Sequence, residues 1–216
     1  MAVTLVLTRK PLRTFTRHLS RGDQSGRWGT LIAVSGPTVT AAQMTDTAPG
    51  PNSSPRPSPP SGPGPRNGGT SIESITVDPG VLRLTTNGVP VTETKQYTSM
   101  ERFHADGGRP GDYVRLPPKP DPYWITYDPH NSAVMHLRSG HAGRCFRVHG
   151  GRTLQEQSIL IHEAPNVGWV TGCVSPRPLR DFTIEMPNDD SNASYQSMDE
   201  LFQFVGVARA NLFVLD

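Results

Sequence analysis

The chain is poor in cysteine. Among its 216 residues only Cys145 and Cys173 carry thiols, and neither lies in a CxxC pair. That excludes a disulfide scaffold and a cysteine-built zinc ribbon, and leaves one Cys145–Cys173 bridge or two lone thiols. Long apolar runs are also missing. The longest, around residues 158–161, is strand-sized and far short of the roughly 20 residues of a membrane-spanning helix. The opening stretch MAVTLVLTRKPLRTFTRHLSR puts a short apolar segment ahead of its charges, the reverse of a secretory signal. Cytoplasmic synthesis without a membrane partner is the expectation. Hydrophobic residues are 34% and aromatics 7% of the chain, against 22 prolines and 21 glycines, so a good part of it cannot be packed interior.

The formal net charge of +2 hides an uneven start. Arg9, Lys10, Arg13, Arg17, Arg21 and Arg27 face a single acid, Asp23, in the first 27 residues. Such a segment suits phosphate, an anionic glycan or an acidic protein surface. No aromatics interleave with the arginines and no zinc-finger or helix-turn-helix pattern follows, so nucleic acid is not the expected partner. His136, His141, Cys145 and His149 form a loose cluster whose spacing matches no closed zinc geometry. Neither metal nor cofactor is expected.

Three pieces separate by composition. Residues 1–44 hold two strand-like runs, VTLVLTR and GTLIAVSG, split by basic residues, and read as a segment that docks the chain to other proteins. Residues 45–70 are rich in proline, glycine and serine, a solvated spacer of polyproline character. Residues 71–216 read as a β-rich domain. ITVDPGVLRLTTNGVPVTE alternates apolar and polar residues, and Asn87-Gly88 suits a tight hairpin. GDYVRL, YWITYDP, RCFRVHG, SILIHEA and GWVTGCV continue the pattern, and NLFVLD closes it. The predicted fold is mainly β, mixed and mostly antiparallel, with one C-terminal helix. That helix is expected in SMDELFQFVGVA, opened by a Ser197/Glu200 capping box, with Met198, Leu201, Phe202 and Val205 on one face.

The chemistry concentrates in SILIHEAPNVGWVTGCV, where a strand ends in His162 and Cys173 follows a turn-forming EAPNVGWVTG. A thiol needs a base to become a good nucleophile, and an imidazole within hydrogen-bond reach supplies one. Gly172 lets an acyl carbonyl approach the backbone, where the Cys173 N–H can hold an oxyanion. Trp169 is the expected wall of the site. Arg144, Arg147 and Arg152 are candidate carboxylate clamps, and Tyr127 joins them as a candidate substrate contact. Asp189-Asp190 and Asp199-Glu200 are acid pairs that could do acid–base work on a sugar, although Asp199 and Glu200 also suit a helix start electrostatically. The bland alternative is a small buried hydrophobe and a satisfied polar histidine.

The order of motifs along the chain adds to this. Gly80, Leu82 and Gly88, then Tyr97, Thr98 and Glu101, then Pro110, Gly111 and Tyr113, then Tyr127 and Pro129, then Ile159, Ile161, His162, Gly172 and Cys173 resemble a family of small domains from phages and bacterial mobile elements. That family is similar to the L,D-transpeptidase catalytic domain. The resemblance spans about residues 71–180 and implies Cys173 as nucleophile, His162 as base, Gly172 on the oxyanion side, and a backbone carbonyl at Glu163 orienting the ring. It implies peptidoglycan stem peptides as substrate, and incorporation in a virion or delivery by an injection machine. In the transpeptidase motif a Ser or Thr and a second His stand where this chain has Val170 and Thr171. A non-catalytic tail or baseplate component, or a peptidoglycan-binding module, is therefore the alternative expectation.

Overall fold

The computed structural model describes residues 2–17, 24–36, 72–78, 81–86, 89–90, 94–102, 116–119, 121–170, 172–179 and 191–215. The 45–70 spacer, most of GDYVRL, and Asp189 and Asp190 lie outside the described residues. Strands form over most of the predicted runs, though GWVTGCV becomes strand only from Val174. In chain order they are β1 (Ala2–Arg17), β2 (Gln24–Gly36), β3 (Ile72–Asp78), β4 (Val81–Thr86), β5 (Val89–Pro90), β6 (Thr94–Arg102), β7 (Tyr123–Tyr127), β8 (Cys145–His149), β9 (Leu160–His162), β10 (Val174–Pro178) and β11 (Ala210–Leu215). Eight of them close into a barrel in the order β1-β11-β7-β8-β9-β10-β6-β2, and β3, β4 and β5 make a separate three-stranded sheet. The fold is mainly β and mostly antiparallel, with parallel pairing at β1–β11 and β9–β10.

Alternate residues fill the barrel. Leu5, Leu7, Leu31, Ala33, Phe146, Val148 and Ile161 lose almost all contact with solvent in one cluster, each of the larger side chains contributing roughly 1.5–3 kcal/mol by burial. The first segment thus contributes two strands of the barrel wall, with Leu5, Leu7 and Leu31 inside. Val34 pairs with Thr94 and Ala33 with Lys95, so β2 and β6 are adjacent antiparallel strands. Their connection is the whole of residues 37–93, which places the proline-rich stretch and β3–β5 as an insertion within one hairpin. β4 and β5 pair around Asn87 and Gly88, with Thr86 opposite Val89, the hairpin that this dipeptide predicts.

A charge also enters the barrel. The β1–β2 register shifts between Thr8 and Arg13, and Arg9 donates from Nε and Nη2 to the two carboxylate oxygens of Glu101 at 2.9 Å each. Nη2 also donates to the Leu116 carbonyl at 2.9 Å. Gly29 backs this point: a Cβ there would come within 2.6 Å of the Thr8 carbonyl oxygen and 2.9 Å of Ser99 Oγ.

Helices differ from expectation. A helix α1 (Pro129–Ser139) follows β7, with Asp128 as its N-cap, Pro129 in the first turn and Gly140 at its C-cap with φ +74°. A short α2 (Leu154–Gln157) precedes β9. The C-terminal helix α3 runs Ser191–Val205, so Ser197 and Glu200 lie well inside it and form no capping box. The expected apolar stripe is present: Met198, Leu201 and Val205 join the barrel core and Phe202 packs against it. No helix among the described residues is long and apolar enough to cross a membrane.

Candidate functional site

The site grows from the outward-facing residues of β8, β9 and β10. Phe146, Ile161 and Val174 point into the core, so Cys145 and His162, which pair directly across β8 and β9, share the opposite face. Val174 pairs in parallel with Ile161, which sets Cys173 beside Leu160, whose backbone N–H donates to the Cys173 sulfur. His162 and the two thiols therefore occupy one face over three consecutive strands.

Between His162 and Cys173 the chain makes a packed loop. Asn166 Oδ1 accepts the Gly168 N–H at 3.0 Å and starts a single 3-10 turn, Val167–Trp169. The expected strand over GWVTGCV does not form before Val174. Val167 and Val170 are drawn with Ala164 onto Trp28 and Met100, and Trp169 and Cys173 pack on that same cluster, so the segment cannot extend until Val174. Gly172 has φ +76°, a left-handed conformation that favours glycine. Its backbone turns the chain from the loop into β10 and delivers Cys173 to the strand's first edge.

The imidazole is held at one nitrogen. Its Nδ1–H donates to the Glu163 carbonyl at 2.6 Å, which leaves Nε2 with its lone pair. Burial pushes the imidazole down to about 4, partly resisted by that hydrogen bond. Cys173 is only partly buried at its surface, yet its surroundings push the thiol up to about 11, with the Leu160 N–H acting in the other direction. The resting pair is neutral. Burial raises Cys145 further still, helped by Asp128 and Cys173. Both cysteines are free, so no bridge joins them.

Several residues brace the loop that the sequence reading passed over. Arg177 is fully buried and its Nη2 donates to the carbonyls of Ala164 at 3.0 Å and Pro165 at 2.8 Å. Its guanidinium lies 5.8 Å from the Trp28 ring. Ser194 Oγ on α3 accepts the Ala164 N–H at 2.8 Å and meets Ser175 Oγ at 2.9 Å. Ser139 Oγ, at the end of α1, donates to the buried Glu163 carboxylate at 2.6 Å, and burial raises that carboxyl above its ordinary value. The residue after His162 is thus fastened by α1, and the two after that by α3 and β10. The sequence signal for Arg177 was faint: an arginine in a strand flanked by prolines.

The expected substrate contacts divide. Trp169 packs on the same cluster as Cys173, and Arg147 lies on the outer face, its Nε donating to Asp128 Oδ2 at 2.8 Å. Tyr127 continues the inward parity of Tyr123 and Ile125, and its ring sits 6.5 Å from Phe146 and 5.0 Å from Phe202. It belongs to the core side and not to the face that carries the thiol. Arg144 is engaged with α3, over the Phe202 ring at 4.2 Å and 3.6 Å from Asp199. Asp199 and Glu200, expected at a helix start, lie in the second half of α3. The loose histidine cluster is dispersed: His136 Nδ1 meets the His141 carbonyl, Cys145 faces His162, and His149 stacks on Trp124. Among the described residues no group of three or more His, Cys, Asp or Glu side chains is arranged to hold a metal. No family model matches the chain, and neither a curated protein nor a solved structure matches it.

Proposed function

We propose that the chain performs cysteine-dependent acyl transfer on the peptide stems of peptidoglycan, as the L,D-transpeptidase-like domains it resembles do, with Cys173 as nucleophile and His162 as base. The observation that carries this reading is the tautomer of His162. With Nδ1–H tied to the Glu163 carbonyl, Nε2 is the nitrogen free to accept a proton. Cys173 stands one strand away, behind a left-handed Gly172.

The chemistry follows a neutral-pair route. A thiol near 11 and an imidazole near 4 place the separated ion pair roughly 9 kcal/mol above the neutral one, before mutual attraction. The thiol proton therefore moves to Nε2 as sulfur bonds to the stem carbonyl carbon, not before. The Leu160 N–H at the sulfur favours the developing negative charge. The tetrahedral intermediate collapses by breaking its C–N bond, and the imidazolium returns the proton to the departing amine. A second amine or water then attacks the thioester and regenerates the thiol.

On this reading such a domain reaches the wall in a virion or through an injection machine. Incubating purified muropeptides with the protein, Cys173→Ala and His162→Gln tests the reading. Products released by the unaltered chain and by neither variant support it, and product release by Cys173→Ala removes it. One observation favours the second reading, a structural tail component: the almost complete burial of His162, at 1% exposure, is what a retained scaffold without turnover also requires.

A further inference from the structure

We infer that the outer face of β7 and β8 holds an anion-binding subsite for a carboxylate of the acyl donor, with Arg147 as its clamp and a Trp124–His149 stack as its floor. The inference rests on the reading of Cys173 as nucleophile and names what lies beyond it on the sheet.

Strand parity brings these groups together. Tyr123, Ile125, Phe146 and Val148 face the core, so Trp124, Thr126, Arg147 and His149 face outward. Trp124 lies opposite His149 and Thr126 opposite Arg147, while Arg147 lies opposite Leu160, the residue whose N–H meets the Cys173 sulfur. At roughly 4.8 Å per strand, Arg147 is about 10 Å from Cys173 across the sheet, and the ring stack is one further step along β8. A peptide of about three or four extended residues covers that span.

Each part of the subsite is fixed in advance. The Trp124 and His149 rings are stacked with centroids 5.7 Å apart and planes 9° apart. His149 Nε2 shares a hydrogen bond with Thr126 Oγ1 at 2.8 Å. Gly150, at φ +88°, leaves no room for a side chain, because a Cβ would come within 2.8 Å of the indole. Arg209 places its guanidinium 4.6 Å from the Trp124 ring.

Arg147 is the informative member. Asp128 holds it through Nε alone, and no partner engages its Nη groups among the described residues, although the side chain is 38% exposed. Asp128 is in turn held by the Asn131 backbone and side-chain N–H groups at 2.9 and 2.8 Å. A guanidinium steered from one edge with the other edge open is a ready fork for a carboxylate. The Arg147 and Arg209 charges both bear on His149 and, after burial, help keep it neutral. Peptide stems carry free carboxylates, which fits the open fork, and the sugar that bears them fits the rings.

The test uses the full chain with Cys173→Ala, so that ligand is not consumed, observed by NMR at the Trp124 indole and His149 ring. A disaccharide-tetrapeptide with free carboxylates is titrated, then the same molecule with its carboxyls amidated, then adenosine monophosphate. The expected result is saturable shifts of Trp124 and His149, with apparent affinity roughly tenfold weaker for the amidated ligand and for Arg147→Gln. The amidated arm needs no altered arginine and stands even where Arg147→Gln fails to fold. Equal affinity for amidated and free ligand, no shift at Trp124, or tighter binding of the nucleotide overturns the subsite. Turnover by the unaltered chain without any Trp124 shift removes the subsite and keeps the enzyme. A Trp124 shift without turnover does the reverse.

Discussion

Breaking the Arg9–Glu101 pair from one side should cost about 3–5 kcal/mol. The two side chains are 2% and 5% exposed, meet at 2.9 Å in a two-bond fork, and hold the Leu116 carbonyl as well. Glu101→Gln takes the carboxylate charge away from a buried guanidinium, and Arg9→Met takes the guanidinium away from a buried carboxylate. Arg9→Met combined with Glu101→Met leaves neither, and by the same reasoning comes close to the unaltered protein. The double-mutant cycle should therefore show a coupling of about 3 kcal/mol or more, measured by urea unfolding with the slope checked for two-state behaviour. Glu101 lies opposite Val174 in the β6–β10 pairing, next to Cys173, so the single variants should also disturb the thiol. Single costs below about 1 kcal/mol, or additive costs, would refute the reasoning and make the pair no more than a surface bridge.

Three further outcomes follow from the same geometry. His162 is near 4 in the fold and about 6.5 unfolded, so the unfolded chain binds the proton first as pH falls. Stability present above pH 6.5 is lost between there and 4, by roughly 3 kcal/mol, and unfolding titrations of His162→Gln should lack that slope. Gly172→Ala forces a side chain into φ +76° at roughly 1–2 kcal/mol; calorimetry should show a folded protein with a lowered melting temperature, and muropeptide turnover should fall more than stability does. Replacing residues 37–93 with an Asn-Gly turn should leave the barrel folded by circular dichroism, because β2 and β6 already pair from Val34 and Thr94 onward; loss of the cooperative transition would contradict the insertion.

How much of this the sequence disclosed follows from the range of the interactions. Alternation revealed β1, β2, β7, β8, β9 and β11 because a strand's two faces are written in consecutive residues. The stripe through Met198 and Leu201 revealed α3, but Ser197 misled about its start, because a hydroxyl inside a helix looks like a cap when read locally. The start of α1 was legible in Asp128-Pro129 and its end in Gly140, yet YWITYDP drew attention to the strand before it. Closure of the barrel was not legible. It depends on β1 meeting β11 and β2 meeting β6, pairings that local pattern does not encode, and a proline-rich insertion between β2 and β6 disguised two neighbours as separate domains. At the site, His162, Gly172 and Cys173 stood out by residue type and order. Arg177, Ser194 and Ser139 did not, since each acts on a backbone or carboxylate brought close only by folding.

Acid-quenched reactions with a muropeptide donor, analysed by intact-protein and peptide mass spectrometry, test the proposal that Cys173 forms an acyl-enzyme with His162 as its base. A thioester adduct is expected on the Cys173 peptide, absent in Cys173→Ala, strongly reduced in His162→Gln and retained in Cys145→Ser. Turnover without an adduct at Cys173, or an adduct that persists undiminished in His162→Gln, contradicts it.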